Sequence, residues 1–309
     1  MTRRQAFDSG ARQARARVRV RVPATSANLG PGYDSFGLAW GIHDEVTATR
    51  TDGDLQVHVV GVGADSLPTD ASHLVVRAAR AAFDAMSEPV PGLALDCVNA
   101  IPHGSGQGSS AAAIVAGILL ARALTPGGDS RLPDDAVLAL ATRLEGHPDN
   151  VAPALVGGFT IAWCAADRPW AVRLSPHPDL RAVLFTTDRT CATHTARAAL
   201  PDLVPHADAA ANAARAGLLV HAITADPDLL FAATEDRLHQ PYRASVMPES
   251  AALLDRLRGA GVAAVLSGAG PSVLALGRDL PEPESLGGSG FRARAVPVSV
   301  VGATAEILD

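Results

Sequence analysis

Four short stretches of the chain hold side chains capable of chemistry. Residues 23–37, PATSANLGPGYDSFG, offer the hydroxyls of Thr25 and Ser26, the carboxamide of Asn28 and the carboxylate of Asp34. Residues 102–110, PHGSGQGSS, carry glycines at 104, 106 and 108 and two serines, ahead of an Ala/Ile/Leu run that reaches Leu124. Residues 145–150, EGHPDN, crowd two carboxylates, a histidine and a carboxamide into six positions. Residues 267–272, SGAGPS, form a second glycine loop. Alternate glycines give the backbone conformations that a Cβ would forbid. A loop poor in side chains that opens a helix presents free N–H groups, aided by the helix dipole, to an anion such as phosphate. Ser109 or Ser110 is expected to cap that helix. The same composition also suits an ordinary glycine turn before a core helix.

Glu145 and Asp149 are carboxylates of the kind that hold magnesium. That ion takes one or two carboxylates together with nucleotide phosphates, and keeps some water. Phosphoryl transfer asks little covalent chemistry of a protein; it needs charge neutralisation and an in-line approach of the acceptor. The inventory fits a nucleotide-dependent kinase. It excludes a Walker A loop and Schiff-base chemistry, because the chain has no lysine and its 26 Lys+Arg are all arginine. A net charge of -6 gives no global case for nucleic acid. No apolar run reaches the roughly 18 residues of a membrane span. The basic N-terminus lacks the apolar segment of a secretory signal. Cys97, Cys164 and Cys191 fit no zinc spacing and read as reduced core residues of a cytoplasmic protein.

These loops need a scaffold. The chain has 309 residues, 48% hydrophobic and 19% charged, enough for a sizeable core in one large or two medium domains. Residues 1–16 are expected to be a mobile tail. RVRVRV at 17–22 alternates, with Val18, Val20 and Val22 turned to the core, and Pro23 is expected to end that strand. Residues 46–49 and 55–60 are expected to pair about a turn at Asp52-Gly53. A helix over 73–86 and a strand over 93–98 follow, so the first glycine loop lies between a strand and a helix. A helix over 133–144, with Asp134 and Asp135 in its first turn, leads to a non-helical loop at 145–150 and a strand at 160–163. The domain boundary is placed in the proline-rich stretch 167–178, giving domains 17–170 and 171–309. The second half reads as α+β. It has strands at 181–187, 261–267, 273–276 and 295–301, helices at 208–225, 229–238 and 251–260, and loops at 239–250 and 281–290.

In order, PATSANLGPGYDSFGLA, the loop ending GSSAAA, EGHPDNVAPALVGGF and LSGAGPSVLAL resemble the signature blocks of the GHMP small-molecule kinases, over Val18 to Leu276. The first and third blocks are closest in wording to members that act on homoserine. The resemblance implies an α+β fold of two domains, the first like ribosomal protein S5 domain 2 and the second ferredoxin-like, with the active site in the cleft between them. It implies ATP and Mg²⁺ as cofactors. ATP would lie against Pro102, His103, Gly104, Ser105, Gly106, Gln107, Gly108, Ser109, Ser110, Ala111, Ala112 and His73. The metal would be held by Ser109 or Ser110 and Glu145. The acceptor would be L-homoserine and the product O-phospho-L-homoserine, on the way to threonine. A zwitterionic amino acid needs an anion and a cation. Asp34 suits the ammonium, and Arg197 and Arg243 suit the carboxylate, which arginine grips as a fork. Asn28, His147, Thr193, Gly268 and Gly270 would complete the pocket. Asp149 and Asn150 would orient or deprotonate the acceptor hydroxyl, with Glu145 the third catalytic group. A homodimer is common in the family, and neither nucleic acid nor membrane is an expected partner.

Three positions depart from the family pattern. Ser105 and Gln107 stand where members usually carry a basic residue and a leucine, and His73 where a nucleotide-pocket asparagine is usual. A buried glutamine in a leucine position needs hydrogen-bond partners, or costs about 1–3 kcal/mol. Two further readings stay open on these grounds: a kinase of the same family acting on another small hydroxylated substrate, and a catalytically silent ligand-binding homologue.

Overall fold

The computed structural model describes residues 17–286 and 290–308; the tail expected at 1–16 lies outside them. In chain order the first half runs β1 (Arg17–Ala27), β2 (Phe36–Thr51), β3 (Gln56–Gly61), α1 (Leu74–Ala85), β4 (Gly92–Asn99), α2 (Ser109–Leu124), α3 (Gly128–Arg131), α4 (Asp134–Glu145), α5 (Pro148–Val156), β5 (Phe159–Ala165) and β6 (Arg168–Leu174). The second half runs β7 (Arg181–Thr186), α6 (Thr193–Ala198), α7 (His206–Thr224), a 3₁₀ turn at Pro227–Leu229, α8 (Leu230–Ala233), α9 (Gln240–Arg243), α10 (Pro248–Gly259), β8 (Ala263–Leu266), β9 (Val273–Gly277), α11 (Pro283–Leu286), β10 (Arg292–Ala295) and β11 (Thr304–Leu308). A seven-stranded sheet has the order β11-β1-β2-β4-β3, with β5 joining β2 and β6 joining β5; a four-stranded sheet has the order β10-β7-β9-β8. The architecture is α+β, with two sheet-based halves.

Several local expectations are overturned for identifiable reasons. Pro23 does not end β1: the β1–β2 register shifts between Pro23 and Ala24, and such a bulge is where a residue without an N–H is tolerated. Residues 46–49 and 55–60 do not pair with each other. β4 lies between them, antiparallel to β2 and parallel to β3. The polar run at 145–150 is not a simple loop. Pro148 opens α5 at the position where its fixed φ suits a helix, and Asp149 sits in the favourable first turn. The helix expected over 229–238 shrinks to α8, because the Asp236 carboxylate takes the N–H groups of Leu238, His239 and Gln240 and starts α9 instead. The loop at 281–290 contains α11; residues 287–289 lie outside the described residues. The strand expected at 295–301 is replaced by β10 and β11, and β11 returns to pair with β1. β6, which reaches Leu174, also belongs to the first sheet. Of the cysteines only Cys97 is buried, its thiol pushed up to about 12 by burial and then by Asp44; Cys164 is exposed and Cys191 half-buried.

Alternation explains the packing. In β1, Val18, Val20 and Val22 are fully buried while Arg17 and Arg21 face solvent. In the second sheet both faces are covered. Ala182, Leu184, Val265, Leu274 and Leu276 share the main core with Leu219 and Ile223 of α7. Val183, Phe185, Leu266, Val273 and Ala275 pack with Leu253 and Leu257 of α10 in a second core. α2 is apolar on all sides and is accordingly a central, buried helix. α1 crosses it at Gly117, where a Cβ would lie 2.3 Å from the Val75 carbonyl oxygen and 2.8 Å from the Ala78 Cβ. Gly117→Ala should therefore wedge the two helices apart and cost about 1–3 kcal/mol. Urea unfolding should show a lower midpoint at unchanged slope. An unchanged midpoint would refute this account of the α1–α2 contact.

Candidate active site

The four loops named from the sequence meet at one cavity of about 440 Å³ between the two halves. Every site residue expected from the sequence lines it except Ala111, which is fully buried in the body of α2. The backbone of the first loop is unusual: Asn28, Leu29 and Asp34 all have left-handed φ, at 68°, 52° and 54°. Such conformations persist only where surroundings over-determine them. Here the Asp34 N–H donates to the Asn28 carboxamide at 2.9 Å, and Asn28 Nδ2 donates to the Gly268 carbonyl at 2.8 Å.

The glycine cradle is built by close approach. Gly108, at φ 71°, precedes α2, and a Cβ there would lie 1.9 Å from Thr25 Oγ1. The expected serine cap does not form. Ser109 Oγ is 2.5 Å from His103 Nδ1, and Ser110 Oγ donates to Glu145 Oε1 at 2.6 Å. Gly108 has no side chain with which to cap, so the first amides of α2 stay available to an anion. A directed chain of hydrogen bonds holds the cradle against the second glycine loop. Trp40 Nε1 donates to Ser26 Oγ at 2.8 Å, Ser26 Oγ lies 2.6 Å from Ser267 Oγ, and Ser267 Oγ donates to the Gly106 carbonyl at 2.7 Å. The two atypical residues form one unit in this loop. Gln107 is 1% exposed; its Nε2 donates to Ser105 Oγ at 3.0 Å, and Ser105 Oγ donates to the Pro102 carbonyl at 2.7 Å. Ser105 is thus the partner that a buried glutamine requires.

Beside the cradle, α4 ends in Glu145 and α5 begins with Asp149 and Asn150. The Asp149 carboxylate is 2% exposed and shares a short hydrogen bond with His147 Nδ1. Burial lowers the His147 pKa, but the hydrogen bond and charge of Asp149, with Glu145 adding, outweigh it and hold the imidazole above its ordinary value. Burial raises the Glu145 carboxyl, against the lowering effect of the Ser110 hydrogen bond. Asn150 is fixed by Thr25, whose hydroxyl donates to its Oδ1 at 2.8 Å. Among the described residues no group of three His, Cys, Asp or Glu could hold a metal. Glu145 and Ser110 instead offer an oxygen pair next to the cradle, the hard donor set that magnesium accepts when phosphates complete its shell. Ser109 Oγ is held by His103 instead, 2.5 Å away.

At the opposite wall Asp34 and Arg197 do not stand apart as separate anchors. They form a fork, Nη2 to Oδ1 at 2.6 Å and Nη1 to Oδ2 at 3.0 Å, with Nη1 also donating to the Tyr33 hydroxyl at 3.0 Å. Arg243 is the free cation. It is 1% exposed, forms no ion pair with a carboxylate among the described residues, and its Nη2 has no hydrogen-bond partner among them. Thr193 opens α6 at the rim, and Gly268 and Gly270 form the floor. At the far end His73 is 4% exposed, and neither ring nitrogen has a partner. Burial, then the neighbouring His103, lowers its pKa and keeps it neutral. Tyr33 and His239 escaped the sequence reading. The spacing of Asp236, His239 and Arg243 in DRLHQPYR was the available signal.

The chain matches the family model described as GHMP kinases N terminal domain over residues 73–158, and that described as GHMP kinases C terminal over residues 205–287. It is 53% identical over 291 residues to a homoserine kinase of Streptomyces coelicolor, covering 94% of each chain. It is 48% identical over 301 residues to a homoserine kinase of Clavibacter michiganensis, covering 95% of each. Among solved structures, a homoserine kinase from Cytophaga hutchinsonii superposes with a TM-score of 0.81 at 25% identity, over 99% of this chain and 100% of that one.

The Ser105–Gln107 pair gives a test of the loop. Ser105→Ala should orphan the Gln107 amide and destabilise the protein by about 1–3 kcal/mol. Adding Gln107→Leu should recover most of that loss, so the two changes should be coupled in a double-mutant cycle of urea unfolding. Additive effects would show that the pair does not act as a unit.

Proposed function

The chain belongs to the GHMP kinases, and from that premise we propose that it transfers the γ-phosphoryl group of ATP to the side-chain hydroxyl of L-homoserine, giving O-phospho-L-homoserine and ADP. The observation that carries the reading is that one cavity joins an uncapped helix N-terminus to a buried, unpaired arginine and an Asp–Arg fork. The first suits a polyphosphate; the second suits a zwitterionic amino acid. Streptomyces and Clavibacter relatives that are homoserine kinases support the choice of acceptor.

In this reading the amides of Gly104–Ser110 and the N-terminus of α2 hold the phosphates. His73 faces the nucleobase end. Glu145 with Ser110 would hold magnesium, which supplies charge neutralisation to the polyphosphate when bound. Arg243 and Arg197 receive the acceptor carboxylate, and Asp34, turned from its fork, receives the ammonium. Asp149 accepts a hydrogen bond from the acceptor hydroxyl and orients it. The oxygen–phosphorus bond to the acceptor forms as the bond to ADP breaks, and the hydroxyl proton leaves toward Asp149. His147, already bonded to that carboxylate, stabilises its charge, while Asn150 and Thr25 fix the neighbouring backbone.

ADP release across a panel of amino acids and alcohols tests the acceptor. L-homoserine should be turned over, and alcohols without an ammonium group, such as mevalonate, should not; the reverse would sink the reading. Glu145→Ala should lower kcat by about 100-fold or more with a smaller effect on the acceptor KM, since it acts on the phosphate side. Asp34→Ala should raise the homoserine KM by about 10-fold or more, since it removes a charged partner. The opposite pattern in the two variants would mean that the two ends of the cavity have been exchanged.

A further inference from the structure

Arg243 is useful to a carboxylate only if its fork is aimed, and nothing of opposite charge aims it. Its Nε donates to the Ala196 carbonyl at 3.3 Å, and its Nη1 donates to the Gly268 carbonyl at 3.2 Å. The guanidinium lies 5.7 Å from the centroid of the Tyr33 ring, and the remaining hydrogen bond is from Nη1 to His239 Nδ1, at 3.0 Å. His239 is fully buried, and its other nitrogen, Nε2, lies 2.8 Å from the carbonyl oxygen of Gly30. The partners fix the tautomer. A carbonyl only accepts, so Nε2 carries the hydrogen; a guanidinium only donates, so Nδ1 presents its lone pair. The ring is therefore the neutral Nε2–H form; burial lowers its pKa and outweighs the Asp236 carboxylate, whose Oδ2 lies 3.5 Å from Nε2. A proton on Nδ1 would set donor against donor.

The surroundings leave the ring little freedom. The Asp236 carboxylate accepts the backbone N–H of His239 at 3.2 Å and that of Gln240 at 2.7 Å, which fixes the turn. The Tyr33 ring lies 5.3 Å away, centroid to centroid. Gly30 belongs to the strained loop that carries Asn28 and Asp34. The same ring thus ties the loop of the ammonium site to the arginine of the carboxylate site.

We propose that His239 is the positioning residue that aims Arg243 at the acceptor carboxylate. The inference rests on the homoserine reading above and names a determinant of acceptor recognition within it. His239 touches no reacting atom. Its loss should act on acceptor affinity alone, and only through the carboxylate.

Three variants and two acceptors test this. His239→Phe keeps a ring against Tyr33 and removes both hydrogen bonds. His239→Asn keeps an acceptor near the position of Nδ1. His239→Gln keeps a donor toward Gly30 and leaves no acceptor at the position of Nδ1. H239F and H239Q should raise the homoserine KM by about 10-fold or more, the loss of a hydrogen bond to a charged group, with kcat and the ATP KM within about 3-fold of the parent. H239N should restore most of the affinity. With 3-aminopropan-1-ol, which lacks the carboxylate, KM should be the same in all four proteins. Should H239F fail to fold, H239N against H239Q carries the comparison. The inference is overturned if H239Q leaves the homoserine KM unchanged, or if KM for the amino alcohol rises in step with it, as a merely structural role would require. Absence of homoserine turnover by the unaltered enzyme would instead overturn the reading of the acceptor, and the inference with it.

Discussion

Everything in the cavity depends on how closely the backbone at Gly106 approaches the backbone of the second glycine loop. A Cβ at Gly106 would lie 2.1 Å from the Ser267 carbonyl oxygen and 2.9 Å from that of Gly270. No side chain fits there, and the contact is polar, so each group must find a partner. The oriented chain from Trp40 through Ser26 and Ser267 to the Gly106 carbonyl supplies them. The cradle, the first loop and the floor of the acceptor pocket are thereby one hydrogen-bonded body, although they come from opposite halves of the chain. On the proposed assignment, the phosphate side and the amino-acid side of the cavity share one frame.

Charge in this frame is almost wholly compensated before any ligand enters. Asp34 is forked to Arg197, Asp149 is bonded to His147, and Glu145 is bonded to Ser110. Compensation keeps the site from destabilising the fold, since an unpaired buried charge is costly. It also makes ligand binding an exchange of partners rather than a capture by bare charges. Arg243 is the exception. Its burial without a carboxylate is tolerated because carbonyl oxygens and a neutral imidazole accept its hydrogens. That leaves one cation in the wall without a carboxylate partner among the described residues.

Much of this was legible in the sequence, and for physical reasons. Glycine alternation at 104, 106 and 108 reports a backbone without room for side chains, and the structure has none to spare. The valines of β1 alternate because one face of the sheet is buried. What could not be read was whatever tertiary context decides. The strand inserted between 46–49 and 55–60 leaves no local trace of its place in the sheet. Pro148 and Asp149 are as good at opening a helix as at making a turn, and packing of α5 on the sheet chooses between them. The pairing of Asp34 with Arg197 joins residues 163 positions apart, so spacing held no record of it. Gln107 looked like a liability because its partner, two residues away, looked like a separate loss.

The return of β11 to the edge of β1 has a consequence for how the molecule comes into being. Arg19 and Glu306, bonded across that seam, are 287 positions apart. A chain emerging from the ribosome makes the rest of the first sheet long before its edge is covered, because domains fold as they appear. Throughout that interval β1 is an open template for pairing. Three arginines in six residues, Arg17, Arg19 and Arg21, are the kind of charge that discourages a foreign strand from docking there. Only when β11 is released does the sheet close, and with it the half of the protein that carries the first glycine loop. Completion of the first sheet is thus tied to a segment whose Glu306 is made 287 residues after Arg19 of the first strand.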